Sequence, residues 1–236
     1  MPIAHAHTLH ASDVAVLCSG GLDSIVLVAD LARHADTQPL YVTSGLAWED
    51  DERDVVLEAL ASMPSAARVR PLVTLEVPMR DVYPDGHWAL DGTPPGYDTP
   101  DEDVYLVGRN IVLLGKAAVY CALHGIERVC LGVLAGNPFP DATPAFFAAM
   151  GEALSLGVAR PLRIDTPYRT MSKVDVIRRG NEVGAPMASS LSCMNPLDRT
   201  HCGACSKCRE RHDAFVEALG DDPTRYRRPL GRGQAS

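Results

Sequence analysis

Val14-Ala15-Val16-Leu17, then Cys18-Ser19-Gly20-Gly21-Leu22-Asp23-Ser24, then Ile25-Val26-Leu27-Val28-Ala29: an apolar run, a glycine-rich turn and a second apolar run follow one another near the start of the chain. So short a first run reads as a buried parallel strand, and Ser24 to about His34 has the length and composition of a helix. The glycines then sit at a strand-to-helix turn. Gly20 and Gly21 permit positive φ and close approach of backbone N–H groups, and Ser19, Ser24 and the helix N-terminus add donors, so the turn is a cradle for an anion such as phosphate. The Lys that completes a Walker loop is missing. Asp23 stands there instead, and a carboxylate beside phosphates is repelled unless a divalent cation lies between, which implies Mg²⁺. An ordinary Gly-rich turn would not gather two hydroxyls and a carboxylate around its glycines.

Outward from the cradle, strand and helix alternate. Leu40–Thr43 reads as a second strand, Glu49 to about Met63 as a helix with acids in its first turn, and Val69–Val77 as a third strand. Ile111–His124 is an apolar helix, Val129–Val133 a strand, Pro144 to about Leu156 a helix and Arg160–Tyr168 an extended segment. Met171-Ser172-Lys173 opens another helix with Ser172 as N-cap. Such alternation predicts right-handed crossovers and an α/β, doubly wound parallel sheet, whose ligands lie beyond the carboxyl ends of the strands.

Two cations stand out against this frame. Arg109, in Val107-Gly108-Arg109-Asn110, lies at the mouth of a helix, placed either to meet an anion or to bond a surface carbonyl. Lys173 sits in a first turn, where the helix dipole disfavours a cation, so it is either solvated or directed at a nucleotide phosphate. Between the third strand and Arg109, residues 78–103 are punctuated by Pro and Gly and carry Trp88 and Tyr97, which reads as a loop covering a substrate rather than a linker.

With 236 residues, 46% of them hydrophobic and 22% charged, the chain suits one globular α/β domain with a small appendage. Its formal charge of −8 disfavours general nucleic-acid binding, no segment is apolar over the roughly 18 residues of a membrane span, and no signal-like pattern opens the chain, so the expected compartment is the cytoplasm. Met1–Ser12, with His5, His7 and His10, reads as a flexible lead-in and 221–236, with its basic run from Arg225 to Arg232, as a flexible tail. Of seven cysteines, Cys18, Cys121 and Cys130 lie in apolar runs and read as buried hydrophobes. Cys193, Cys202, Cys205 and Cys208 form a separate cluster with metal-ligand spacing, Gly203 permitting the tight turn. Four sulfurs with no open position describe a structural Zn²⁺, an iron–sulfur cluster being the competing occupant and His201 an unneeded spare.

Ser19-Gly20-Gly21-Leu22-Asp23-Ser24 is similar to the S-G-G-x-D-S loop of N-type ATP pyrophosphatases, of the adenine nucleotide alpha hydrolase-like fold. From about Val14 to Leu219 the chain resembles the 7-cyano-7-deazaguanine synthases of the queuosine pathway, through that loop, V-G-R-N at Val107, L-G-V at Leu131, P-D at Pro140, A-L-S-L-G at Ala153, R-P-L-R-I-D-T-P at Arg160, M-S-K-V-D-V-I at Met171 and the cysteine order from Ser192. The resemblance implies an ATP-pyrophosphatase domain over 13–185 and a four-cysteine region with a C-terminal helix over 186–220. It implies that Ser19, Gly20, Gly21, Leu22, Asp23 and Ser24 bind ATP, that Asp23 acts on the metal, and that Arg109 and Lys173 meet phosphate or carboxylate charge. The implied reaction joins 7-carboxy-7-deazaguanine to ammonia through an adenylated carboxylate and an amide, ending in the nitrile, in a homodimer. Two stretches depart from the family: Thr43–Glu49 replaces a D-Y-G-Q-R-H-like run, and Ala135–Thr143 is shorter and lacks the family's Tyr, Cys and Arg. Both would border the substrate, so related readings are an enzyme stopping at the amide or joining a deazaguanine to a protein amine. A tRNA-modifying thiolase or lysidine enzyme, disfavoured by the acidic balance, and a non-catalytic nucleotide-binding module complete the set.

Overall fold

A computed structural model describes residues 13–231; the N-terminal lead-in and the end of the tail lie outside the described residues. Its centre is a five-stranded, wholly parallel sheet in the order β3-β2-β1-β4-β5, built from β1 (Val14–Leu17), β2 (Thr37–Thr43), β3 (Val73–Glu76), β4 (Arg128–Cys130) and β5 (Arg163–Asp165). The doubly wound sheet expected from the sequence is the one found. Strand order reverses between β1 and β4, and the crevice there, above the carboxyl ends, is where such sheets hold ligands.

All four side chains of β1 are buried because both faces are covered. Val14 and Val16 share a core with α1 (Leu22–Leu31), α2 (Glu49–Ala61), α6 (Lys173–Val183) and α7 (Ser206–Leu219). Ala15 and Leu17 point the other way, into a core with α4 (Arg109–Leu123) and α5 (Pro144–Gly157). A third cluster unites the remaining short helix α3 (Trp88–Asp91), Trp48 and the four clustered cysteines, so the 78–103 loop and the cysteine region roof the carboxyl edge together. The loop is a cover, held by a bridge from Gly96 to Cys205 and by the Ala47 N–H donating to the Ala89 carbonyl at 2.9 Å.

Strand limits differ from the expected ones where backbone chemistry intervenes. β2 starts at Thr37, three residues early, because the Gln38 side-chain amide donates to the carbonyls of Pro39 and Pro71 and stitches the proline into the sheet. β3 starts at Val73, since Pro71 interrupts the run and Val69 makes only an isolated bridge to Thr37. β4 ends at Cys130, just before Gly132 turns against the backbone of Asp23. Residues 221–231 of the expected tail run as a strap across the cysteine region: Arg227 N–H donates to the His201 carbonyl at 2.8 Å, and Gly203 passes so close to Arg228 that a Cβ would stand 2.4 Å from its carbonyl oxygen. No helix of the described residues is long and apolar enough to cross a membrane.

Candidate active site

Only Gly20 of the two cradle glycines has positive φ (+79°); a side chain there would also meet Val56 and the Glu52 carbonyl. Gly21 is extended (φ −63°, ψ 152°) and serves as N-cap of α1, its N–H donating to Ser19 Oγ at 3.3 Å. Ser24 is turned back into the helix, donating to the Gly21 carbonyl at 2.9 Å, and the Leu22 side chain belongs to the core at 1% exposure. Ser19, exposed, and the backbone of the turn are thus the groups that face outward.

Two cavities meet at this turn, sharing Ser19, Gly21 and Asp23. The first, about 210 Å³, lies over the carboxyl ends of β1, β2 and β4 and has apolar walls from Leu40, Val42, Leu113 and Leu131, with Arg109 and Asn110 at its rim. Arg109 is neither solvated nor bonded to a carbonyl: it donates to Ser44 Oγ and lies 4.0 Å from the Glu49 carboxylate. Glu49 also accepts from the N–H groups of Ser44 and Gly45 at 2.7 and 2.9 Å, so part of the first divergent stretch holds Arg109 in place. From the other side Asp141 accepts from the Asn110 N–H (2.9 Å), and its carbonyl accepts from the Asn110 side-chain amide (2.8 Å). Asp141 was visible in the sequence only as part of a motif; its role as anchor of the Arg109 turn emerges from the fold.

The second cavity, about 290 Å³, is lined by Trp48, Trp88, Phe139, Glu52, Arg211 and a row of alternating charges. Lys173 Nζ lies 2.6 Å from Asp23 Oδ2 and 3.5 Å from Glu210, Glu210 lies 2.8 Å from Lys207, and Lys207 lies 3.0 Å from Asp101 of the covering loop. Burial alone would lower the Lys173 pKa, but the Asp23 and Glu210 carboxylates outweigh it and raise it. Burial would likewise raise Glu210, yet the ammonium groups of Lys173 and Lys207 hold it down at about 2. Lys173 therefore carries a full charge and is directed at Asp23, an arrangement intermediate between the two the sequence offered. Asp23 Oδ1 is buried with no hydrogen-bond partner in the structure. One carboxylate oxygen neutralised by Lys173 and the other orphaned beside an anion cradle suits a hard divalent cation. Arg211, 1% exposed, is held by neutral acceptors only: the hydroxyls of Ser190, Ser192 and Thr224 and the Met187 carbonyl.

Cys193, Cys202, Cys205 and Cys208 are all buried with their sulfurs within 4.8 Å of one another. Separations of 3.8 Å (Cys202 to Cys208) and 3.5 Å (Cys205 to Cys208) suit a tetrahedral ion, for which bonds of about 2.3 Å set the sulfurs about 3.8 Å apart. Backbone N–H groups of Asn195 and Cys202 donate to Cys193, and that of Ala204 to Cys202, as thiolates require. His201 is not among them: its Nε2 accepts from Ser192 N–H at 3.1 Å, and burial lowers its pKa to about 3. Cys18, Cys121 and Cys130 are core thiols, pushed up by burial to about 11, 12 and 12.

The family model described as Queuosine biosynthesis protein QueC matches residues 13–219. A curated 7-cyano-7-deazaguanine synthase of Methanopyrus kandleri is 34% identical over 232 residues, covering 89% of this chain and 97% of its own. One of Methanoculleus marisnigri is 34% identical over 224 residues, covering 90% and 97%. Among solved structures, a 4-thiouridine synthetase–RNA complex with bound ATP superposes with a TM-score of 0.46 at 18% identity, over 89% of this chain and 53% of that one.

Proposed function

This chain belongs to the family of the queuosine biosynthesis protein QueC, and from that premise we propose that it is an ATP-dependent carbon–nitrogen ligase converting 7-carboxy-7-deazaguanine and ammonia to 7-cyano-7-deazaguanine. The observation that carries the reading is the meeting of two cavities at the Ser19–Ser24 turn, one apolar-walled at the sheet's switch point and one aromatic and cationic. Relatives bearing that synthase name span nearly the whole chain, which favours the nitrile over an enzyme that stops at the amide or conjugates a protein.

ATP occupies the first cavity, its adenine against Leu40, Val42, Leu113 and Leu131 and its phosphates on the Gly20–Leu22 backbone and the N-terminus of α1. Asp23 Oδ1 would hold Mg²⁺, which would offset the phosphate charge. Lys173 holds Asp23 in place through their ion pair, and Arg109 flanks the phosphates from the rim of α4. The acid lies in the second cavity with its carboxylate at the shared turn. Orientation there makes attack on the α-phosphorus effectively unimolecular. A carboxylate oxygen forms the bond to phosphorus and pyrophosphate leaves. Ammonia then attacks the acyl carbon, AMP departs with that oxygen, and loss of a proton gives the amide. The amide oxygen repeats the attack on a second ATP, and elimination of AMP with the remaining N–H protons leaves the nitrile.

We assign Zn²⁺ to the four cysteines as a structural ion, since their four sulfurs would fill every position of a tetrahedron. The free thiols accord with a cytoplasmic setting. The test is isotopic: with both carboxylate oxygens labelled as ¹⁸O, each AMP released carries one label. Unlabelled AMP would rule out the adenylated acid.

A further inference from the structure

Glu52 is a buried carboxylate, 9% exposed, that lines the second cavity, and among the described residues no cation lies within ion-pair distance of it. Tyr41 O–H donates to its Oε2 at 3.0 Å and the Trp48 indole N–H is a second donor toward it, which leaves about half of its acceptor capacity unused. A buried carboxylate in that condition is costly unless donors arrive from elsewhere. Beside it the indoles of Trp48 and Trp88 stack on one another, centroids 5.7 Å apart and planes 15° apart, and both line the same cavity together with Phe139. Flat aromatic surface next to a carboxylate with acceptor capacity to spare matches a planar heterocycle with two adjacent N–H donors.

The ring N–H and exocyclic amino group of a 2-aminopyrimidin-4-one present such a pair, in the plane and at the spacing of the two carboxylate oxygens. We infer that Glu52 is the specificity-determining residue for the acceptor, reading the 2-amino and ring N–H edge of a guanine-type base stacked against Trp48 and Trp88. This rests on the proposed function and deepens it. The two stretches that depart from the family, one bearing Trp48 and the other Phe139, then converge on one base pocket with Glu52, three residues beyond the first of them.

The chain contains only these two tryptophans, so intrinsic fluorescence reports the pocket directly, without turnover. Titration of the parent protein with 7-carboxy-7-deazaguanine at pH 9, where the Glu52 carboxyl is ionised, quenches the emission to saturation, and the analogue lacking the 2-amino group binds about 10- to 100-fold more weakly, as a hydrogen bond to a charged group warrants. Glu52→Gln, which still accepts from Tyr41, weakens the first ligand and brings the two affinities within a few fold of each other. Equal affinities in the parent overturn the inference without recourse to any variant. So does a Glu52→Gln protein that keeps the full preference, or one that binds normally and merely fails to turn over, which would make Glu52 a proton acceptor instead. Fluorescence discrimination with no AMP release in the parent would sink the proposed reaction while leaving the base pocket standing.

Discussion

Asp23 is where the glycine-rich turn and the charged row of the second cavity meet. It is joined to Lys173 across 150 residues of sequence, and its other oxygen is orphaned beside the anion cradle. Removing the ammonium leaves Asp23 and Glu210 with less compensation and takes a positive charge from the proposed reaction site. Lys173→Gln is therefore expected to lower kcat for AMP release by about 10²–10³-fold while circular dichroism stays that of the parent; turnover at the parental rate would remove Lys173 from the mechanism. Glu52 gives a pH-dependent outcome. Burial raises its carboxyl from an ordinary 4.5 to about 8, against the opposing influence of Arg109 and Tyr41. Between those values the folded chain holds a proton that the unfolded chain has lost, so this group's contribution to stability declines as pH rises through that window. Glu52→Gln removes the decline. Its melting temperature should match the parent's near pH 4 and exceed it by a few degrees at pH 9, where about 1 kcal/mol corresponds to about 2–4 °C; a parental difference that is flat with pH would contradict this. Asp23 was legible in the sequence because its loop is local. Lys207 and Glu210 were not, because three residues apart on a charged helix they read as a solvated pair, and only the packing of α7 against α6 brings them to Lys173.

Among the elements, α6 has the clearest local signals. Ser172 Oγ accepts from the Asp175 N–H at 3.1 Å and the Asp175 carboxylate accepts from the Ser172 N–H at 2.9 Å, a complete capping box at the helix that presents Lys173. Ser172→Ala is expected to cost about 1 kcal/mol, read as a drop of about 2–4 °C in melting temperature, and to reduce turnover less than Lys173→Gln does. Further along the same helix, Gly180 lets α6 press on α1: a Cβ there would lie 2.4 Å from Met187 Sδ and 2.8 Å from Val26 Cγ2. Gly180→Ala should destabilise by about 1–3 kcal/mol in a denaturant titration, and an unchanged midpoint would show that Met187 moves aside freely. Ser172 as N-cap could be read from the sequence, because caps are decided within four residues. The contact at Gly180 could not, since nothing local distinguishes it from a helix-weakening glycine. Strand limits escape the sequence at the same kind of place: Pro39 and Pro71 look like strand ends, yet Gln38 bridges their carbonyls and carries β2 through the first of them.

Across the whole molecule, the sheet and its switch point followed from the alternation of strands and helices and the covering loop from its length and aromatics, whereas the contacts that seat the cover did not. Residues 78–103 offer only Pro, Gly and scattered aromatics to a reader of sequence, and their place is fixed by contacts with distant segments, Asp101 with Lys207 and Gly96 with Cys205. That roof shares its core with the four cysteines, so the proposed ion supports the second cavity as well as its own loop. Structural zinc contributes about 10–16 kcal/mol, at least comparable with the net stability of a domain at about 5–15 kcal/mol. Cys205→Ser, or prolonged treatment of the parent with a strong chelator, should therefore release the metal and abolish cooperative melting; folded, metal-free Cys205→Ser protein would contradict the structural assignment. Whether the Ser19–Ser24 turn joins a nucleotide to an acid in the neighbouring cavity is decided by the mass of the product formed from 7-carboxy-7-deazaguanine, ATP, Mg²⁺ and ammonia. The expected product is the nitrile, with two AMP for each molecule formed; recovery of the unchanged acid without AMP would show that the turn does not activate it.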